Sequence, residues 1–75
     1  MSCNLRKDIL DALEAEALGS IQTARMNVEV YLHNPVGIGE HPNVLAAIQE
    51  QLDVIAEQRE RIEVLHTYFN KHEHA

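Results

Sequence analysis

A helix-breaking segment near the middle of the chain constrains its fold more than any other feature. The segment from His33 to Pro42, HNPVGIGEHP, holds both prolines and two of the three glycines, and it separates two stretches of similar length. Pro35 disfavours helical geometry in Asn34, the glycines permit a positive φ, and Pro42 suits the first turn of a following helix. The sequence therefore predicts an all-α, antiparallel two-helix hairpin.

The expected boundaries follow from helix start and stop signals. Helix 1 is predicted over about residues 4–33 with Asn4 as its N-cap, and helix 2 over about residues 42–70. A hinge covers residues 34–41, and residues 71–75 form a frayed tail of the single domain 1–75.

The turn is expected to be centred near Gly37, and this fixes which residues of the two helices face each other. Ile62 is then expected near Leu13, and Ile55 near Ser20.

Apolar residues recur at spacings of three and four along both predicted helices, with acidic residues such as Glu14 assigned to the solvated face. The stripe on helix 2 is wider than one partner helix needs, and a lone hairpin has no third layer to cover it. Small domains without disulfides commonly gain stability by oligomerisation. We therefore expect two hairpins to dimerise into a four-helix bundle with two-fold symmetry. The expected oligomer interface comprises Leu45, Ile48, Leu52, Ile55, Arg59, Ile62, Phe69, Leu13, Ala17, Ile21, Ala24 and Val28.

Two residues interrupt these stripes, and each allows two interpretations. Gly19 lies among small residues in helix 1, where it either lets another helix approach closely or introduces a slight kink. Arg59 occupies an apolar heptad position of helix 2. It either pairs with a carboxylate and sets the helix register, or packs its stem while its head reaches water.

The charge balance excludes some classes of partner. The chain has 12 acidic and 6 basic residues, a net charge of −6, and the basic residues are scattered. Clustered positive charge is needed to bind phosphate backbones or anionic lipid, so neither nucleic acid nor a membrane is expected as a partner. A lone cysteine, Cys3, and no basic-plus-apolar leader predict a reduced, cytoplasmic protein.

One spacing suggests metal chemistry. Glu63 and His66 form a Glu-x-x-His pair of the kind that ferritin-like helices aim at one ion, and Asp8 and Asp11 are expected nearby. The pattern also arises readily by chance in acidic helices. We therefore expect no metal site, no cofactor and no enzymatic activity.

The hinge tip also has two interpretations. Val36 and Ile38 either cover the end of the bundle or dock an unidentified protein partner. The sequence thus favours a small non-catalytic oligomeric interaction or adaptor protein, with a ferritin-like metal-binding bundle as the alternative.

The stretch from Tyr31 to Phe69 resembles known proteins through its hinge string and the helix ending Val64-Leu65-His66-Thr67-Tyr68-Phe69. It is similar to short uncharacterised helical proteins of marine tailed bacteriophages. The resemblance covers about half the chain and brings no activity, cofactor or functional residue with it. It implies a phage or marine bacterial origin, with expression in the host cytoplasm.

Overall fold

The protein is a single layer of two antiparallel helices. A computed structural model describes residues 5–34 and 43–69. Within them, α1 spans Leu5–His33 and α2 spans Val44–Tyr68, packed side by side along their length. The principal-axis extents are 55 × 22 × 15 Å, so the molecule is little thicker than one helix with its side chains. The predicted all-α hairpin is confirmed.

The helix ends lie within two residues of the predicted ones. The chain leaves α1 at Asn34, whose backbone N–H donates to the Val30 carbonyl at 2.9 Å. Asn43 caps α2, because its Oδ1 accepts a hydrogen bond from the backbone N–H of Ala46 at 2.9 Å. At the other end, the backbone N–H of Phe69 donates to the Leu65 carbonyl at 3.1 Å.

Several predictions concern residues outside the described ranges. They are the Asn4 cap, the start of helix 2 at Pro42, the frayed tail 71–75 and the docking tip formed by Val36 and Ile38.

The helices meet along a seam whose residues alternate in steps of three and four, the spacing of a heptad pattern. On α1 the seam residues are Leu10, Glu14, Ala17, Ile21, Ala24, Val28 and Tyr31. On α2 they are Val44, Ile48, Gln51, Ile55, Gln58, Ile62 and Leu65. Of all the described residues only Leu10, Ala17 and Ala24 are buried, and no large side chain among them is completely enclosed. The hairpin therefore has a thin core.

The facing residues lie about one helical turn further along α2 than predicted. Asn27 is hydrogen-bonded to Gln51, whereas a turn centred at Gly37 would place it opposite Ala47. Glu14 lies 3.3 Å from His66, whereas the same turn would place it opposite Glu60. The physical reason is the position of the connection. The midpoint between the end of α1 and the start of α2 lies beyond Gly37, which moves these two pairings along α2. At the other end of the hairpin, Arg6 contacts Phe69, close to the predicted register.

The seam also differs from the predicted stripes in composition. Glu14, assigned to the solvated face, is half-buried between the helices, whereas Leu13 remains 46% exposed. Ala17 and Ala24, assigned to the oligomer interface, are buried where α1 meets α2 within the hairpin. Small side chains at these positions let α1 and α2 approach each other closely.

The two ambiguous residues lie outside the seam. Arg59 is exposed, which matches the interpretation in which its head reaches water and contradicts a buried position within the hairpin. Gly19 is exposed on an uninterrupted α1, and a Cβ built on it would meet nothing within 4 Å. Gly19 therefore does not serve close packing of α1 against α2.

Candidate functional site

A two-helix layer has two broad sides, and exposed apolar side chains occur on both, as Leu13 and Val64 show for one side and Leu45 and Leu52 for the other. On the second side, large apolar side chains line up along both helices. These side chains follow the seam positions and the positions next to them, in steps of three, four and seven. We call this surface the apolar face, and it consists of Leu18, Ile21, Val28, Leu32, Leu45, Ile48, Leu52, Ile55, Ile62 and Phe69.

The outer half of the apolar face is open to solvent. Leu45 is 72% exposed, Leu32 is 59% exposed, and Leu18 and Leu52 are each 49% exposed. The isoleucines nearer the seam are half-buried and join these leucines across the two helices. Exposed apolar residues are ordinary when single, but a contiguous patch of this kind marks an interaction surface.

The total surface of the chain is large for its mass. Its accessible area is 5740 Å², whereas a compact monomer of 8.5 kDa exposes about 4,700 Å². The excess of about 1,000 Å² is similar to the area of about 800 Å² that one partner buries in a standard protein interface. The hairpin alone therefore leaves as much surface open as an interface would cover.

The opposite side of the layer carries a groove with a volume of about 460 Å³. Its floor is apolar and its rim is mainly acidic. We call it the acidic-rimmed groove, and it is lined by Leu13, Glu16, Ala17, Ser20, Glu57, Gln58, Glu60, Arg61, Val64 and Leu65.

The groove continues along the helices into a second, shallower hollow. Glu16 and Ser20 line both hollows, which together form one trough. Small residues such as Gly19 and Thr23 line the part of the trough that extends toward Gln51. The trough closes where Asn27 Nδ2 donates to Gln51 Oε1 at 3.1 Å, a partly buried bond between the helices.

The residues of the Glu-x-x-His hypothesis have different surroundings in the structure. Glu63 and Asp8 are exposed, and Asp11 lies 2.7 Å from the ammonium group of Lys7. His66 instead places Nε2 at 3.3 Å from Glu14 Oε2, with both side chains partly buried. Within residues 5–34 and 43–69, no cluster of three or more histidine, cysteine, aspartate or glutamate side chains has a metal-binding arrangement.

Sequence reasoning missed Glu14 because acidic residues usually lie on the solvated face. The available signal was the spacing, since Glu14 falls four residues after Leu10 and three before Ala17, as a seam residue must. The contact between Glu14 and His66 bridges α1 and α2 at the edge of the apolar face.

Neither described helix contains a stretch long and apolar enough to cross a lipid bilayer. No protein-family model, curated protein or solved structure matches the chain. What the protein does must therefore be inferred from its own two surfaces.

Proposed function

We propose that this protein is a small, non-catalytic interaction protein that works as a homo-oligomer. In its simplest form two hairpins pack their apolar faces together around a two-fold axis and make a four-helix bundle. The observation that carries this proposal is the contrast between five exposed large apolar residues of one face and the few buried residues of the hairpin. The exposed residues are Leu18, Leu32, Leu45, Leu52 and Phe69, and among the described residues only Leu10, Ala17 and Ala24 are buried.

The energetics favour covering the apolar face. Complete burial of one leucine side chain is worth about 1.5–3 kcal/mol, and four leucines of this face are about half-exposed or more. Ordering the backbone costs about 1–2 kcal/mol per residue, which the thin core of one hairpin offsets poorly. Pairing two hairpins provides the missing third and fourth helices at no cost in additional sequence.

A second copy also fits the symmetry of the face. In a two-fold dimer each patch meets an identical patch, so the patch must tolerate its own image. The residues that define the apolar face are uncharged, and one cation, Arg59, interrupts its outer row on α2 seven residues after Leu52. Helices of such bundles cross at about 20°, which suits long, straight helices such as α1 and α2.

A phage-encoded origin and a cytoplasmic location form part of the same proposal. They are supported by the resemblance of residues 31–69 to short helical phage proteins. They are also consistent with a function of assembly and binding rather than catalysis.

The test is the molar mass in solution, measured by size-exclusion chromatography with light scattering. We expect the wild type to have twice the chain mass of 8.5 kDa, and Leu52→Glu to fall to the single chain mass. Leu52 is suitable because it lies on the apolar face yet is half-exposed, so its replacement leaves the seam intact. Met26→Glu is the matched control, since Met26 is 61% exposed and lies outside that face.

A folded wild-type monomer, or a Leu52→Glu variant that keeps the dimer mass, would contradict the proposal. The measurement is repeated after dialysis against a chelator. An assembly that dissociates on metal removal would support the metal-binding alternative instead.

A further inference from the structure

We propose that the acidic-rimmed groove binds an amphipathic helix of another protein, one whose apolar stripe is flanked by lysine and arginine. This site lies on the side of the layer opposite the apolar face. It therefore does not rest on self-association, and either proposal can fail while the other stands.

The floor of the groove has the shape and chemistry of a helix-binding surface. Leu13 and Val64 lie on either side of the groove and remain open to solvent, while the small side chains of Ala17 and Ser20 leave room at its centre. Together with the second hollow, the trough extends from Leu13 to Ala24 on α1, about 17 Å or three helical turns. A helix that lies in such a groove is anchored by apolar residues spaced three, four and seven apart.

The rim determines the charge of the partner. Three carboxylates, those of Glu16, Glu57 and Glu60, border the groove together with one cation, Arg61. The guanidinium of Arg61 donates to Glu57 Oε2 at 3.3 Å, so the rim keeps a net negative charge. Lysine and arginine beside the apolar stripe of a docked helix would meet Glu16 on one side and Glu60 on the other. Complementary charge of this kind favours a basic partner over an acidic or neutral one.

The same rim argues against a second copy of this chain as the occupant. A two-fold contact through the groove would place acidic rim against acidic rim, and like charges facing each other across an interface are unfavourable. The apolar face carries no such penalty. The two sides of the layer thus favour different partners. The apolar face favours a second copy of this chain, and the acidic-rimmed groove favours a basic helix of another protein.

The test uses a synthetic probe, an acetylated leucine–lysine peptide of about 15 residues with leucines at helical spacing. Its twin carries glutamate in place of every lysine. Binding to the full chain is measured by isothermal titration calorimetry, and helicity of each variant is checked by circular dichroism. We expect the basic peptide to bind, its acidic twin not to bind, and binding to weaken when salt rises from about 0.05 to 0.5 M.

The groove is tested with Glu16→Gln combined with Glu60→Gln, which should weaken binding about tenfold. The matched control is Asp8→Asn combined with Asp53→Asn. It changes the net charge by the same amount at exposed positions that do not line the groove, and it should bind as the wild type does.

Three results would overturn the proposal: no binding of the basic peptide, equal binding of both peptides, or equal weakening by the control pair. Loss of binding in Leu52→Glu but not in the groove variants would place the peptide on the apolar face and also overturn it. A wild-type monomer that binds the basic peptide through Glu16 and Glu60 would contradict self-association alone.

Discussion

Asn43 shows how one side chain sets the start of an element. Its Oδ1 satisfies the backbone N–H of Ala46, one of the donors that a helix start leaves without an intrahelical partner. The sequence analysis placed the start of helix 2 at about Pro42, from the propensity of proline for the first turn, and did not identify Asn43 as the cap before Val44. The cap decides the boundary because it makes a hydrogen bond.

Gly19 gives a prediction at the same scale. It lies in the interior of α1 with open space around it, so an added methyl group meets no neighbour within the hairpin. We expect Gly19→Ala to raise the free energy of unfolding by about 0.5–1 kcal/mol, because alanine loses less backbone entropy in a helix. Urea denaturation followed by circular dichroism measures the change.

The reverse substitution at an exposed position of the same helix, Ala12→Gly, is the control and should lower stability by a similar amount. A destabilised Gly19→Ala would mean that Gly19 lies against a second helix in the assembly. The interpretation of Gly19 as a site of close helix approach would then apply between copies.

The two helices were predictable as elements, but the side that each turns toward the other was not. Periodic apolar residues and Pro35 are sufficient to predict two helices and a turn. Each helix, however, carries two adjoining apolar stripes, as Ile48 in the seam and Leu52 beside it illustrate. Which stripe is buried depends on the fit between α1 and α2, and Ala17 with Ala24 permits the closer approach. The packing of α1 against α2 depends on both helices together, so it cannot be predicted from the sequence of either helix alone.

The Asn27–Gln51 hydrogen bond gives a prediction at the scale of the helix pair. It is partly buried and joins the helices in the displaced register. We expect Gln51→Leu to lower the free energy of unfolding by about 1 kcal/mol, because Asn27 loses its partner. The double variant, Asn27→Leu with Gln51→Leu, should return close to the wild type, since both polar groups are then gone.

A double-mutant cycle by chemical denaturation measures this coupling between Asn27 and Gln51. If the losses of unfolding free energy in the two single variants add up to the loss in the double variant, the hydrogen bond contributes nothing to the pairing of α1 with α2.

The acidic-rimmed groove could not be predicted from the sequence, because it forms only when the two helices pair. Its rim combines Glu16 with Glu57 and Glu60, which are far apart in the chain and meet only once the helices pair in the observed register. The net charge of −6 predicted that nucleic acid is not a partner, but it did not show where the negative charge is concentrated. The apolar face was easier to anticipate, because its width is a property of α2 itself.

At the scale of the whole molecule, stability should depend on concentration. If two hairpins complete each other's core, folding and association are linked by mass action. We expect the midpoint of thermal unfolding to rise by several degrees for each tenfold increase in protein concentration. Circular dichroism melts at about 5 and 500 μM measure this, with Leu52→Glu as the control. An unfolding midpoint that is independent of concentration would contradict a core shared between copies.

The contact between Arg6 and Phe69 has a mechanical consequence. Arg6 Nη2 donates to the Phe69 carbonyl at 2.9 Å, so both ends of the described hairpin lie at the same end of the rod. Tension applied between these two ends would load the seam one turn at a time, starting at this hydrogen bond, rather than shearing the whole seam at once. The two helices should therefore separate one turn after another at low force. A second copy packed across both helices would raise the force that is needed to separate them.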